Sequence, residues 1–423
     1  MGGARSFAAI ADAAEDAAEK LIDVIGLCHP RWGLPHRSTI RRVLIAAGAP
    51  ALEAALRRWA TRRMLAHAQA RTAQLRRRPG TATEMAWATN AFALDGKVAT
   101  GSAHPEPVEQ PVGAADDQPS QEPAQEQEQA ARTVRAAFVS VLHVDSGITI
   151  TQSAIEGGDE VAAAQAALED LAAAVDLRGC VITADARHTV RATATQILGY
   201  GAHYVFAVKA NTPTLYDLLA EQPWVAIPPA PGQAGGGRER GHARKESRSI
   251  KVLGCTEEQL AELRKAIPGA TQMLQMTRTR TTLADTPVPR PRTARKPKKG
   301  KGKAASKACK TSKTPKSTTP KKTKVREVVY YVTSMDHTTA TPAALAAWIR
   351  GHWTIENRVH HVRDVTLGED ASRVRTGSGP QVMAAIRNTV ISLARLFGRS
   401  NVARTTRRWC RREEEALAVL LAA

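Results

Sequence analysis

Two stretches of this chain are barred from any packed core, and they decide where folded structure can lie. Residues 103–131 are built mainly from Glu, Gln, Pro and Ala and hold seven acids with no Lys or Arg. Residues 290–324 hold fifteen Lys and Arg and no acid, inside a Lys/Pro/Thr/Ser segment spanning 286–324. Neither carries enough apolar surface to offset the entropy of ordering it, so both read as linkers. The basic one is expected to stay disordered until it meets a polyanion. A fold must be assembled from what precedes, separates and follows them.

The basic tract also carries most of the charge. The chain has 423 residues and a formal net charge of +20; subtracting the fifteen cations of 290–324 leaves about +5. A surplus of this kind points to nucleic acid, but most of the signal sits in one tract. Cys28, Cys180, Cys255, Cys309 and Cys410 are odd in number and form no CxxC pair. That argues against a disulfide framework or zinc ribbon and fits a reducing cytosol. No apolar run approaches the roughly 20 residues that span a bilayer. Glu15 and Glu19 interrupt the first apolar stretch, so no signal peptide is expected and no membrane partner follows.

Residues 1–80 read as a helical N-terminal domain. Ala-rich periodicity covers residues 7–24, Ser38 is placed to cap a second helix, and a third runs from Pro50 to about Ala66 with Leu52, Leu56 and Trp59 at helical spacing. Arg41, Arg42, Arg57 and Arg58 suit either a DNA-binding module or a small bundle with solvated arginines.

Beyond residue 132 the pattern is α/β. Two β-rich runs, 136–144 and 148–155, flank Asp145-Ser146-Gly147, a hairpin signal. An amphipathic helix over 160–175, a buried strand ending at Ala184, a helix stopping at Gly199 and a strand over 204–208 follow. That succession predicts a mixed sheet with helices on its faces. Further β-like runs at 247–253 and 327–333 bracket the Lys-rich tract. The longest clear helix is expected over 342–364, with Thr341 as its cap and Pro342 at its first position.

Three acids stand where divalent-cation chemistry needs them. Phosphodiester cleavage by two metal ions requires carboxylates clustered at strand ends and on an adjoining helix. Asp95 ends Ala91-Phe-Ala-Leu94, Asp185 ends Cys180-Val-Ile-Thr-Ala184, and Glu356 lies within the C-terminal helix. Each alone has an ordinary explanation, a turn Asp or a solvated helical Glu. Around Glu356, however, His352, His360 and Arg363 share a helix face, with Arg350 and Arg358 beside it. A zinc site from His352, Glu356 and His360 is disfavoured, because its two His are eight residues apart rather than four. Trp353, close to Trp348 and Ile349, reads as core, with stacking on an unpaired base as the alternative.

Several stretches resemble the DDE insertion-sequence transposases of the ISAs, or H-repeat-associated, type. They are Gly3-Ala-Arg-Ser-Phe-Ala-Ala-Ile-Ala11, Ser38-Thr-Ile-Arg-Arg-Val43, Leu94-Asp-Gly-Lys97 with Gly101-Ser102, and Leu177-Arg-Gly-Cys-Val-Ile-Thr-Ala-Asp-Ala186 with Tyr204-Val-Phe-Ala-Val-Lys-Ala-Asn-Thr-Pro213. Arg350-Gly-His-Trp-Thr-Ile-Glu-Asn357, followed by Val365-Thr-Leu-Gly-Glu-Asp-Ala-Ser-Arg373, is the most diagnostic. The resemblance implies an RNase H-like core: a first strand region (81–102), a first part (132–217), a β-rich insertion (218–335), C-terminal helices (336–399) and a tail (400–423). It implies Asp95, Asp185 and Glu356 as catalytic ligands of Mg²⁺ or Mn²⁺. Cleavage at terminal inverted repeats and strand transfer into target DNA would follow, by a homodimer in a bacterial, nucleoid-associated cytoplasmic setting. Lys97, Lys209, Asn211, Arg350, His352, Asn357 and Arg363 become candidate DNA contacts. Relatives usually carry more residues before Gly3, so a shortened N-terminus is expected. An inactive relic that binds DNA, or an RNase H-like nuclease, remains open on the same residues.

Overall fold

The hairpin around Asp145-Ser146-Gly147 forms, and it opens a large sheet in the computed structural model. The structure describes residues 9–10, 12, 36–76, 90–105, 133–230, 239–241, 244–282 and 324–422. Strand β1 is Ala91–Val98; the short β2 (His104–Pro105) and β3 (Thr133–Val134) pair only with each other. β4 (Ala137–His143) turns through Gly147, at φ 69°, into β5 (Ile148–Ala154). β6 (Val181–Ala184), β7 (His203–Val208), β8 (Glu239–Gly241), β9 (Arg244–Gly254), β10 (Gln272–Thr282) and β11 (Lys324–Thr333) follow.

The main sheet has nine strands in the order β5-β4-β1-β6-β7-β11-β10-β9-β8. β5, β4 and β1 are antiparallel neighbours, whereas β1, β6 and β7 run parallel. This is the RNase H-like arrangement. The β-rich stretch expected over 218–335 continues the same sheet, because β11 pairs antiparallel with β7 and carries β10 and β9 outward. Strand β10 has no counterpart among the sequence expectations. Its second half, Thr277-Arg-Thr-Arg-Thr281, lacks apolar alternation and is held by partner strands on both edges.

Among the described residues there are ten α-helices: α1 (Arg37–Ala46), α2 (Ala49–Arg76), α3 (Glu160–Ala172), α4 (Arg191–Gly199), α5 (Pro213–Ala220), α6 (Glu257–Ala266), α7 (Pro342–Ile355), α8 (Gly379–Leu396), α9 (Val402–Trp409) and α10 (Glu413–Ala422). Successive strand residues face opposite ways, and β1 shows the consequence. Phe92 and Leu94 join a core with Leu168 and Leu171 of α3, Ile197 of α4 and Met64 of α2. Ala91 and Ala93 face the other side, where Leu345, Trp348, Ile349 and Ile355 of α7 and Ile391 of α8 pack. Each large apolar side chain fully buried this way contributes roughly 1.5–3 kcal/mol. Asp95 and Lys97 lie on the α7 face by the same alternation, and Gly96 on the α3 face.

Several local expectations shift. Helix α1 is capped by His36, whose ring accepts from the Ser38 N–H at 3.3 Å, rather than by Ser38. Helix α2 runs for 28 residues, well past Ala66, and is longer than the C-terminal helix. Arg57 pairs with Asp170 of α3, and Arg41 donates to Thr376 at 3.0 Å. Arg42 donates to Thr39 at 3.3 Å, so three of the four arginines considered for DNA are engaged within the protein. The residue that reverses the chain after α4 is Gly201, at φ 69°, two positions beyond Gly199. Residues 400–423 are not a plain tail: Val402 and Trp409 pack α9 against Ile355 and Val359. Most of the helix expected over 7–24, and most of both linkers, lie outside the described residues. Among the described residues no helix is long and apolar enough to cross a membrane.

Candidate active site

The parallel register of β1 and β6 sets two acids side by side. Leu94 aligns with Ala184 as the last paired position, so Asp95 and Asp185 follow as neighbours on the face covered by α7. Burial first, and then the charges of Asp185 and Glu356, push the Asp95 carboxyl up to about 7. Asp185 also caps the turn that follows it, accepting from the Arg187 N–H at 3.0 Å.

Helix α7 delivers the third acid by a device the periodicity did not show. Its start follows expectation, with Thr341 accepting from the Ala344 N–H at 3.3 Å and Pro342 in the first turn. Regular α turns stop at Ile355, and residues 356–360 and 362–366 are π-helical. Such widened turns recur at functional sites. Glu356 begins the first of them, and His360 is carried under it. His360 Nδ1 lies 3.3 Å from Glu356 Oε2 and 3.5 Å from Asp95 Oδ2. The hydrogen bond from His360 holds the Glu356 carboxyl below its ordinary value. Burial keeps His360 below the usual imidazole value, which favours the neutral ring with one lone pair.

Asp95, Glu356 and His360 each offer a ligand atom within 4.8 Å of the others. Two carboxylates suit a divalent cation that prefers oxygen, and the imidazole admits one that also takes nitrogen. The excess negative charge around Asp95 is the condition a cation relieves. His360 enters the sequence reading as part of the cationic face around Glu356 and in the disfavoured zinc alternative; its spacing from Glu356 is visible there, its approach to Asp95 is not.

A second layer of acids and bases surrounds the three. Glu160, first residue of α3, faces Gly96, where an added Cβ would run into Glu160 Oε1. The fully buried His188 lies 3.4 Å from Glu160 and 3.9 Å from Asp185. His188 first, with Arg187 at 2.9 Å, holds Glu160 down to about 2. Sequence reasoning misses both Glu160 and His188, because a Glu in a first helical turn and a His in a short turn look ordinary.

The candidate DNA contacts divide. Lys97 is only 7% exposed and donates to Asp364 at 2.7 Å, with Glu369 3.8 Å away. Arg363 departs from the expectation: it is fully buried and bidentate on Glu369, at 2.8 and 2.9 Å, so it braces the fold beneath the site and has no surface to offer a phosphate. Arg387 adds a third contact to Glu369 at 3.3 Å. Half-buried His352 approaches Thr183 Oγ1 at 3.2 Å, and burial pushes its ring down to about 4. Asn211 donates to the Ala186 carbonyl at 2.7 Å and so braces the turn after Asp185. Lys209, Arg350 and Asn357 are exposed, with Asn357 also donating to the Trp353 carbonyl at 2.8 Å. Trp353 is not core. It is 47% exposed with the Arg278 guanidinium 5.6 Å over its ring, while Trp348 takes the buried position.

A profile described as Transposase DDE domain matches residues 140–393, more than half of the chain. The chain belongs to that family. Asp185 and Glu356 lie inside the matched stretch of the transposase domain, and Asp95 lies upstream of it. Among curated proteins, the chain is 24% identical over 256 residues to YhhI, an H repeat-associated protein of Escherichia coli K12, the match covering 60% of this chain and 58% of YhhI. It is 25% identical over 277 residues to YncI of E. coli O157:H7, covering 62% of this chain and 60% of that protein. Both proteins are named as transposases. The match to YbfL of E. coli K12 is 24% over 256 residues, covering 60% of this chain and 58% of YbfL. The chain thus spans about 60% of the length of the curated relatives it matches. A solved synaptic complex of piggyBac transposase with hairpin DNA aligns with 76% of this chain and 51% of its own at 9% identity and TM-score 0.32, which adds nothing to the strand order itself.

Proposed function

We propose that this transposase domain cuts DNA at the terminal inverted repeats of its element and joins the ends to target DNA, using Mg²⁺ or Mn²⁺. The observation that carries the reading is the convergence of Asp95, Asp185 and Glu356 on one end of the sheet, close enough that Asp95 is pushed up to about 7. A bound divalent cation supplies Lewis acidity that activates the attacking oxygen and steadies the leaving one. Asp95, Glu356 and His360 would hold it, with Asp185 completing the acidic set. Without the cation His360 Nδ1 orients Glu356 through its 3.3 Å contact; with it, the tautomer protonated at Nε2 would turn the Nδ1 lone pair to the cation. His188 with Glu160 backs Asp185. The Glu369 network ties Lys97 of β1 to the second π-helical turn, so the strand and helix that carry Asp95 and Glu356 are held in one frame.

The partner in this reading is duplex DNA, and two element ends brought together call for a homodimer. Lys209, Arg350, Asn357 and Trp353 are the sequence-named groups that lie at the surface, within reach of DNA. The names of YhhI and YncI support the same class. The test is a cleavage and joining assay on DNA bearing the element's ends. Wild type should nick and join only with the cation, and Asp185→Asn should lose both reactions while still binding DNA. If Asp185→Asn cuts as well as wild type, the mechanism fails; nicking without joining assigns a nuclease instead.

A further inference from the structure

We infer that the C-terminal α9 face is a phosphate-binding surface for duplex DNA, set beside the carboxylate site. Helix α9 is sharply two-sided. Val402, Thr405 and Thr406 are buried and Trp409 packs inward, while Arg404 and Arg407 are exposed one turn apart. Arg411 and Arg412 continue the exposed row in the turn that follows. Surface arginines usually find acids, and two neighbours do: Arg408 lies 2.5 Å and Arg399 3.2 Å from Glu415. Among the described residues, Arg404, Arg407, Arg411 and Arg412 have no carboxylate within 4 Å. Four exposed guanidinium forks without a carboxylate, on α9 and in the turn after it, suit an anion that offers repeated oxygens.

Its place in the fold points to the substrate of the active site. Val402 and Trp409 share one apolar cluster with Ile355 and Val359, the residues on either side of the Glu356 turn. Exposed Arg358, two residues beyond Glu356, extends the positive field. Within α9, Arg404 and Arg407 stand about 4.5 Å apart along the helix axis at helical rise, and Arg411 follows in the turn after Trp409. The helix that carries these arginines is thus packed against the one that carries Glu356. The inference rests on the reading of this chain as DNA-acting, and it names a surface in a region that sequence alone presents as a tail.

The experiment uses the full chain in EDTA, so that binding is measured without cleavage. A random-sequence duplex is titrated at several salt concentrations with wild type, R404A/R407A/R411A and R404K/R407K/R411K. The Ala variant should flatten the slope of log affinity against log salt by about 2.7, from about 0.9 for each of three phosphates no longer neutralised. The Lys variant keeps the charges and should retain the wild-type slope. Cys410 is exposed between Arg407 and Arg411 and serves as a local probe. It should crosslink to a duplex carrying a tethered mixed disulfide by thiol–disulfide exchange, the Cys410 thiolate displacing the tether's leaving thiol, and Cys410→Ser should abolish that crosslink. An unchanged slope in the Ala variant, a flattened slope in the Lys variant, or an unlinked Cys410 in DNA-saturated protein would overturn the inference. A protein that binds here but never cuts would sink the transposase reading and leave this surface standing.

Discussion

Asp95→Asn should make the metal-free protein more stable at pH 8. The folded chain holds the Asp95 proton up to about pH 7, against an ordinary value of 3.8, because burial and then Asp185 and Glu356 oppose its charge. The folded state therefore binds a proton that the unfolded state has released between about pH 4 and 7. Stability falls as pH rises through that window and is lowest above it. Each tenfold gain in proton affinity is worth about 1.4 kcal/mol, so the full cost is about 4 kcal/mol, and about 2–4 after allowing for the part of the side chain that water reaches. Asn keeps the shape and still accepts from the Gly96 N–H, but it cannot ionise. Thermal and urea denaturation in EDTA at pH 4 and pH 8 compare the two proteins. The variant should gain about 2–4 kcal/mol at pH 8, several degrees in Tm for a domain this large, and almost nothing at pH 4. Added Mn²⁺ should stabilise wild type at pH 8 and the variant much less, since the cation binds the folded acids. An Asn variant no more stable than wild type at pH 8 would refute the account of a strained carboxylate set.

Two further outcomes test the frame around the site. Glu369→Gln strips the carboxylate from buried Arg363 and Arg387 and should cost about 3–5 kcal/mol by urea denaturation. Gly101→Ala places a Cβ 2.5 to 2.8 Å from the carbonyl oxygens of Ser372, Glu369 and Asp370. Those are backbone atoms that cannot swing away, so a loss of about 1–3 kcal/mol in stability is expected, and a wild-type melting curve would count against this packing.

Some of this is written locally. The β4–β5 hairpin follows from Asp145-Ser146-Gly147, the start of α7 from Thr341-Pro342, and the strands ending at Leu94 and Ala184 from short apolar runs. Each depends on neighbours in sequence, so turn chemistry, capping and periodicity suffice. The motif glycines and acids are also visible, though not the reasons for them. Gly96 faces Glu160, Gly101 lies against the 369–372 loop, and Glu369 anchors two buried arginines. Trp353 departs from its expected place in the core because nearness in sequence to Trp348 and Ile349 does not put it on their face of the helix: Trp348, Ile349 and Ile355 are buried while Trp353 is exposed.

By itself the sequence determined which segments could fold, where the strands end, and which acids stand at those ends. Only the tertiary structure decided how they meet. The β1–β6 register aligns Leu94 with Ala184 and so makes Asp95 and Asp185 neighbours across 90 positions of chain. The π-helical turns bring His360 to Asp95, the sheet closes over β10, and α9 is seated beside Glu356. A period of two or 3.6 residues says which way a side chain points from its own backbone; which distant backbone lies opposite is set by the packing of the whole chain.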